Sequence, residues 1–201
     1  MRGTMKLLIA GFGLILLLLA VNAGVSGQGP LVDTTASVTI DAPRERVWRD
    51  LQDFEGRWES SNPEHDGIWV LTSPKRPLRD GLRFLQRESV GGVTGMLHGR
   101  IYDVRPPRRF SWRARTRYTF FGLPMDVREG GSVVLAPAAG SVVLSHRVWA
   151  HSGPSLTDRI LAAVAAWCMD LEADARQHTL VELAYFRDSI EAAQAVPKAH
   201  D

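Results

Sequence analysis

The sequence predicts an α+β fold: a strand, two short helices, an antiparallel meander of six to seven strands and a long C-terminal helix, preceded by an N-terminal hydrophobic helix. Three observations carry this prediction. Residues 109–120, RFSWRARTRYTF, put aromatic and small residues on one parity and arginines on the other, which is the period of a half-buried strand. Similar short runs between residues 67 and 150 are separated by Gly, Pro and Asp-Gly turns, and strands joined by short turns pair antiparallel. From Ser155 to Glu191 there is neither glycine nor proline, and apolar residues recur at helical spacing.

Residues 1–27 open with Arg2 and Lys6, continue as an uncharged apolar run from Leu7 to Val21, and end in small residues. This layout is that of a secretory signal, with Val21-Asn22-Ala23 before the cleavage point, or of an uncleaved transmembrane anchor. Leu7 to Val25 spans ~28 Å as a helix, close to the ~30 Å of a bilayer core. The positive start favours an N-terminus that stays inside, so the body is expected on the exported, periplasmic or extracellular face. No cysteine follows the run, which excludes a lipoprotein anchor.

Residues 28–34 read as a linker and 35–191 as one domain. Ala36 to Ile40 alternates as a strand. Asp41 is placed as a helix N-cap and Pro43 at the start of that helix, with Val47, Trp48 and Leu51 on one face. Phe54 to Trp58 forms a second short helix. The strand-like runs are Gly67 to Thr72, Leu82 to Val90, Leu97 to Val104, Phe110 to Phe120, Met125 to Glu129, Ser132 to Ala136 and Ser141 to Ala150. The pairs Gly91-Gly92 and Gly130-Gly131 read as turns between them. The last helix carries Ile160, Val164, Trp167 and Leu171, then Leu180, Leu183, Phe186 and Ile190, with a bend expected near Glu172 to Gln177. Residues 192–201 form a flexible tail.

Charge narrows the function. Residues 1–29 hold two basic side chains and no acid, so the rest of the chain is balanced at 22 basic and 22 acidic residues. A general polyanion-binding role loses its support. What remains is local: seven arginines lie between Arg100 and Arg117, against the single acid Asp103. The lone cysteine, Cys168, forms no intrachain disulfide and no thiolate metal cluster; on an apolar helix face it reads as a small core residue.

Four stretches together carry a family resemblance: ASVTIDAPRERVWRDLQDFEGRWESSNP, DGLRFLQRE, YDVRPPRRFSWRAR and the C-terminal helix. They resemble the START-like, birch-pollen-allergen-like superfamily (SRPBCC), in particular its polyketide cyclase/dehydrase and lipid-transport branch, over residues 35–191. The resemblance implies a helix-grip fold, in which a curved antiparallel sheet wraps around the long helix and encloses a cavity. It also implies an apolar small-molecule or lipid ligand, and for some members cyclisation or dehydration.

That fold would turn Phe110, Trp112, Ala114, Thr116, Tyr118 and Phe120 inward and Arg113, Arg115 and Arg117 to water. A nucleic-acid platform needs its aromatics on the same face as its basic residues, so nucleic acid is not expected. Trp69, Phe84, Trp112, Tyr118, Phe120 and Trp167 are expected to line the cavity, with His146 as a polar contact. The loop at 121–125 and the long helix are expected at its entrance.

Chemistry is sparsely signalled. There is no HExxH, GxSxG, glycine-rich phosphate loop or His/carboxylate cluster at metal spacing, so neither a metal nor a cofactor is expected. His65-Asp66 is too short a signal to carry a metal site. His146 sits on the apolar parity of Val142, Leu144 and Val148, either as a satisfied core histidine or as a polar anchor or acid/base. Glu88 and Gln86 share the parity of Leu82 and Phe84, and Tyr102 and Tyr118 supply hydroxyls; His146, Glu88 and Tyr118 are the catalytic candidates. The leading expectation is a binding module, exported or membrane-anchored through its N-terminal segment if that is uncleaved. An enzyme of the cyclase/dehydrase type is the alternative. A membrane-interaction role for the outer arginines is the third reading. Nothing in the pattern sets an oligomeric state.

Overall fold

The structure is a computed structural model that describes residues 29–72 and 77–195. The N-terminal hydrophobic segment, read above as signal or anchor, and residues 196–201 of the expected tail lie outside the described residues; residues 192–195 of that tail instead continue the last helix. Among the described residues no helix is long and apolar enough to cross a membrane.

Seven strands form one antiparallel sheet: β1 (Val32–Ile40), β2 (His65–Val70), β3 (Arg83–Val90), β4 (Val93–Arg105), β5 (Arg109–Phe120), β6 (Leu123–Ala138) and β7 (Ser141–Ser152). Their order is β1-β7-β6-β5-β4-β3-β2, so β2 to β7 form the expected meander and β1 closes on its last strand. The sheet begins earlier than the sequence suggested. Val32 pairs with Ala150 and Thr34 with Val148, which places residues 32–34, read as linker, in the first strand.

Two short elements follow β1. The helix α1 (Arg44–Leu51) starts from Pro43, without a side-chain cap. Asp41, expected as the N-cap, instead donates its backbone N–H to Glu191 at 2.8 Å. A single π turn (Phe54–Trp58) comes next. It buries Phe54 and Trp58 and places Glu55 and Glu59 beside the free edge of β2. There they accept the backbone N–H groups of Val70 and Ile68, which blocks an edge open to pairing with another chain.

The Gly130-Gly131 pair is not a turn. β6 runs unbroken for 16 residues, and the two glycines leave room for indoles from both neighbouring strands. A Cβ on Gly130 would lie 2.5 Å from the Trp149 ring, and one on Gly131 would lie 2.6 Å from Trp112 Nε1. Gly99 serves Phe84 in the same way: the two are cross-strand partners, and a Cβ there would run into the ring. The glycines mark close approach of aromatics, a meaning that turn chemistry alone does not reveal.

The C-terminal helix is two helices, α2 (Leu156–Cys168) and α3 (Leu171–Ala195). Ser155 and Asp158 form a capping box at the start of α2. The break comes before the expected bend. Met169 is extended, and the Asp170 side chain accepts the Ala173 N–H at 3.1 Å, the local bond by which aspartate favours a helix start over a helix interior. Helix α3 packs along β1 and also meets α1, β3 and β7. Leu183, Phe186 and Ile190 on its inner face enter a core with Trp58, Phe110 and Leu144. The sheet therefore curls around α3, while α2 covers part of β6 and β7.

Candidate functional site

The curled sheet and the two C-terminal helices do not close completely on each other. A cavity of about 160 Å³ remains between them, comparable to a ~150 Å³ void that takes a benzene-sized guest. Its walls are mainly apolar and come from every strand but β2, from the π turn and from both C-terminal helices.

The strand β5 behaves as the alternation demands. Phe110, Ala114, Thr116 and Phe120 are buried, with Trp112 and Tyr118 partly so, while Arg113, Arg115 and Arg117 are exposed. Arg117 pairs with Asp126 on β6, and the Arg113 guanidinium lies over the Tyr102 ring at 5.6 Å. Tyr102 is therefore on the outer face and supplies no hydroxyl to the cavity.

Of the residues expected in the cavity, Phe84, Trp112, Tyr118, Phe120, His146, Glu88 and Gln86 line it. Trp69 and Trp167 do not; they are 46% and 78% exposed. The β2 strand carries an irregularity between His65 and Gly67 that shifts its parity, so Ile68 points inward and Trp69 folds its ring back over Gly67. On α2 the cavity positions are Ala162 and Ala165; Trp167 lies two residues beyond Ala165, about 200° around the helix. Cys168, read as a core residue, is exposed at the helix end.

One end of the cavity is polar. Glu182, in the middle of the inner face of α3, is almost fully buried. Its Oε2 accepts from His146 Nδ1 at 3.1 Å, and its Oε1 lies 3.2 Å from His65 Nε2 and 3.4 Å from His178 Nε2. Burial opposes ionisation of Glu182, and the hydrogen bonds from His146, His178 and His65 outweigh it, holding the carboxyl well below the usual range. Burial likewise opposes charge on the histidines, but Glu182 wins at both: His65 is raised, and His178, also facing Glu88 and Glu64, is raised to about 10. His146 is satisfied on both sides. Trp112 Nε1 donates to its Nε2 at 3.2 Å, which leaves Nδ1 to donate to Glu182. Its place is that of a group that orients Glu182, not a free base.

A second polar cluster sits beside the first. The Tyr118 hydroxyl lies 3.2 Å from Glu88 Oε1 and 3.3 Å from Glu129 Oε2, and Thr116 donates to Glu129. Gln86 donates to Glu88 at 2.6 Å. One hydroxyl has one proton for two carboxyl neighbours, so one carboxyl must itself donate. Burial first, and the Glu88 charge second, push Glu129 up to about 8, which makes it the acid of the pair at neutral pH. The same burial and the two carboxyls raise Tyr118 well above its ordinary value. The three groups form a series along which a proton can pass.

Sequence reasoning missed Glu129, His65, His178 and Glu182. Glu129 was placed at a strand end because the two glycines after it read as a turn. The other missed signal was present: His178 and Glu182 stand four residues apart on the helix face that carries Leu183 and Phe186. His65 depends on a bulged strand and on the π turn. Its Nδ1 donates to the Trp58 carbonyl at 2.8 Å, a contact that residue spacing does not reveal.

Architecture and cavity together define a helix-grip protein with a small, mainly apolar cavity between sheet and helices. Residues 32–183 match the family model described as polyketide cyclase / dehydrase and lipid transport, and the chain belongs to that family. No curated protein matches the chain in sequence. Among solved structures it is similar to a protein of Thermus thermophilus, at TM-score 0.59 and 14% identity over 81% of this chain and 99% of that one. It is similar to the Zhui aromatase/cyclase from a Streptomyces species, at TM-score 0.57 and 16% identity over 82% and 96%. A START superfamily protein from Mycobacterium smegmatis matches at TM-score 0.50 and 15% identity over 82% and 99%. At these identities the likeness establishes the shared fold.

Proposed function

We propose that the domain takes up an apolar, ring-bearing or lipid-like small molecule, its apolar body between sheet and α2 and its polar group against the Glu182–His178 and Glu88–Tyr118 wall. The observation that carries this reading is the pairing of an apolar cavity with a single polar end, the arrangement that orients a ligand with one oxygenated end. Family membership supports the same class of ligand. In its present width the cavity suits one or two rings; a longer ligand needs α2 to move outward at the Met169–Asp170 break. The test is displacement of a fluorescent apolar probe from the full chain. Ala165→Trp, which fills the cavity from α2, abolishes probe binding while the fold persists. Undiminished binding by that variant would place the probe elsewhere and defeat the proposal.

A second reading is turnover: cyclisation or dehydration of a polyketide-like substrate. The Glu129–Tyr118–Glu88 series favours it, since enolisation and water loss need an acid and a base facing one space. Tyr118→Phe removes the bridging hydroxyl, so it lowers turnover and leaves binding of a product-like ligand. If both fall together, the hydroxyl serves binding alone. For residues 1–27 the proposal remains a signal or an anchor that places the domain on the outer face of the membrane. Alkaline carbonate extraction of membranes separates the two, since only an anchored chain stays in the pellet.

A further inference from the structure

We propose that His65, His178 and Glu182 form a binding site for a divalent transition metal, zinc by geometry, at the polar end of the cavity. The tautomers fix where the lone pairs point. His65 Nδ1 faces the Trp58 carbonyl at 2.8 Å, and a carbonyl only accepts, so Nδ1 carries the proton. His178 Nδ1 faces Glu64 Oε2 at 2.8 Å and donates to it. Without a metal, protons on Nε2 face Glu182; a metal would take their place, and both Nε2 atoms, 3.2 Å apart, would then turn their lone pairs to one point. Glu182 Oε1 completes a triangle with sides of 3.2 and 3.4 Å. Three buried acceptors converging on one point need positive charge among them, as protons or as one metal ion.

The dimensions choose among cations. Tetrahedral zinc with bonds of ~2.0–2.1 Å has ligand–ligand edges of ~3.3–3.4 Å, and the triangle fits this on all sides. Two histidines and one carboxylate, with a fourth position left open, are also a donor set of catalytic zinc sites. The outer contacts are those of metal-bound imidazoles: one ring held by a backbone carbonyl, the other by a carboxylate. Glu88 Oε2 stands further off, at 4.0 and 3.9 Å from the two nitrogens, too far for a fourth corner and suited to hydrogen-bond a water or ligand oxygen there. Charge agrees. Glu88 and Glu182 have no arginine or lysine partner among the described residues; their partners in charge are histidines. His178, Glu182 and Glu88 all line the cavity, so the open position faces the ligand space, where a carbonyl or hydroxyl oxygen would reach it.

The site stands apart from the ligand reading, because metal uptake is measured without any organic ligand. The experiment takes the full chain, stripped with chelator, and titrates it with zinc by calorimetry and with cobalt by visible absorption. The expected result is one metal per chain and the intense absorption of four-coordinate cobalt. Glu182→Gln lowers affinity more than ~100-fold, and Glu64→Gln, which loses only the outer partner of His178, lowers it ~10–100-fold. Glu64 is at the rim, with its side chain 42% exposed, so that variant keeps the fold if Glu182→Gln does not. No uptake by the stripped chain would overturn the proposal, with the histidines then held by protons alone. Uptake unchanged in both variants would overturn it equally, since the metal would then sit elsewhere.

Discussion

Glu129 is the sharpest test of the electrostatics, because burial and the charge of Glu88 outweigh the hydrogen bonds from Thr116 and Tyr118 that favour its ionised form. Its carboxyl stands at about 8 in the folded chain against an ordinary 4.5. Below pH 4.5 the folded and unfolded chains both hold the proton. Between 4.5 and about 8 the unfolded chain releases it and the folded chain keeps it, so stability falls as pH rises through that window and levels off above it. At ~1.4 kcal/mol per unit of displacement, the whole span corresponds to ~5 kcal/mol. Rearrangement of Tyr118 and Glu88 around the new charge trims this, so a loss of ~2–5 kcal/mol is expected. Other groups titrate too: His178 contributes stability that fades as pH rises toward 10. The measurement is therefore a difference. Urea unfolding of the wild type and of Glu129→Gln, taken from about pH 5 to about pH 9, should give curves that diverge, the wild type losing the extra stability. Parallel curves would mean that Glu129 is ionised in the folded state, and the series Glu129–Tyr118–Glu88 would lose its acid.

Packing and position set further expectations. Phe110→Ala removes a fully buried ring at the centre of the core and costs ~3–5 kcal/mol by chemical denaturation. Gly131→Val collides with the Arg147 carbonyl and the Trp112 indole and lowers the melting temperature sharply; a wild-type melt would show that β6 bends away at this point. Trp69→Ser and Trp167→Ser leave probe affinity in the displacement assay unchanged, because neither ring lines the cavity; a tenfold loss from either would move the binding site. Trp112→Phe removes the donor to His146 Nε2 and weakens binding of an oxygenated ligand more than that of a pure hydrocarbon, which paired titrations read directly.

The larger features of the fold were legible in the sequence because each has a local cause. The β5 alternation set both faces of the sheet, and the absence of glycine and proline after Ser155 set the helical end. Most of what failed did so where two distant segments decide the outcome. Gly130-Gly131 looks like a turn until Trp112 and Trp149 are seen to need the space. Trp69 is inward on a regular strand and outward on one bulged at His65–Gly67. The site was half legible. Glu88, Gln86, Tyr118 and His146 follow from strand parity. The wall they join depends on His65, Glu129, His178 and Glu182, brought from the β2 edge, β6 and α3 by the curl of the sheet, and a hydrophobic-period reading of α3 passes over its one buried acid. The break between α2 and α3 was misplaced for a local reason, since Asp170 competes with the helix for the Ala173 N–H.

A cavity that holds an apolar molecule with one polar end should still hold it when the protein leaves the cell. Native mass spectrometry of the full chain, purified gently from the cells that make it, reads this directly, with Ala165→Trp prepared alongside. The wild type is expected to carry an added mass of a few hundred daltons or less, on the order of one small ligand, which organic solvent releases. The cavity-filled variant is expected to carry none. The same added mass on both proteins would refute the binding role of the cavity, because the bound molecule would then lie outside the space between sheet and helices.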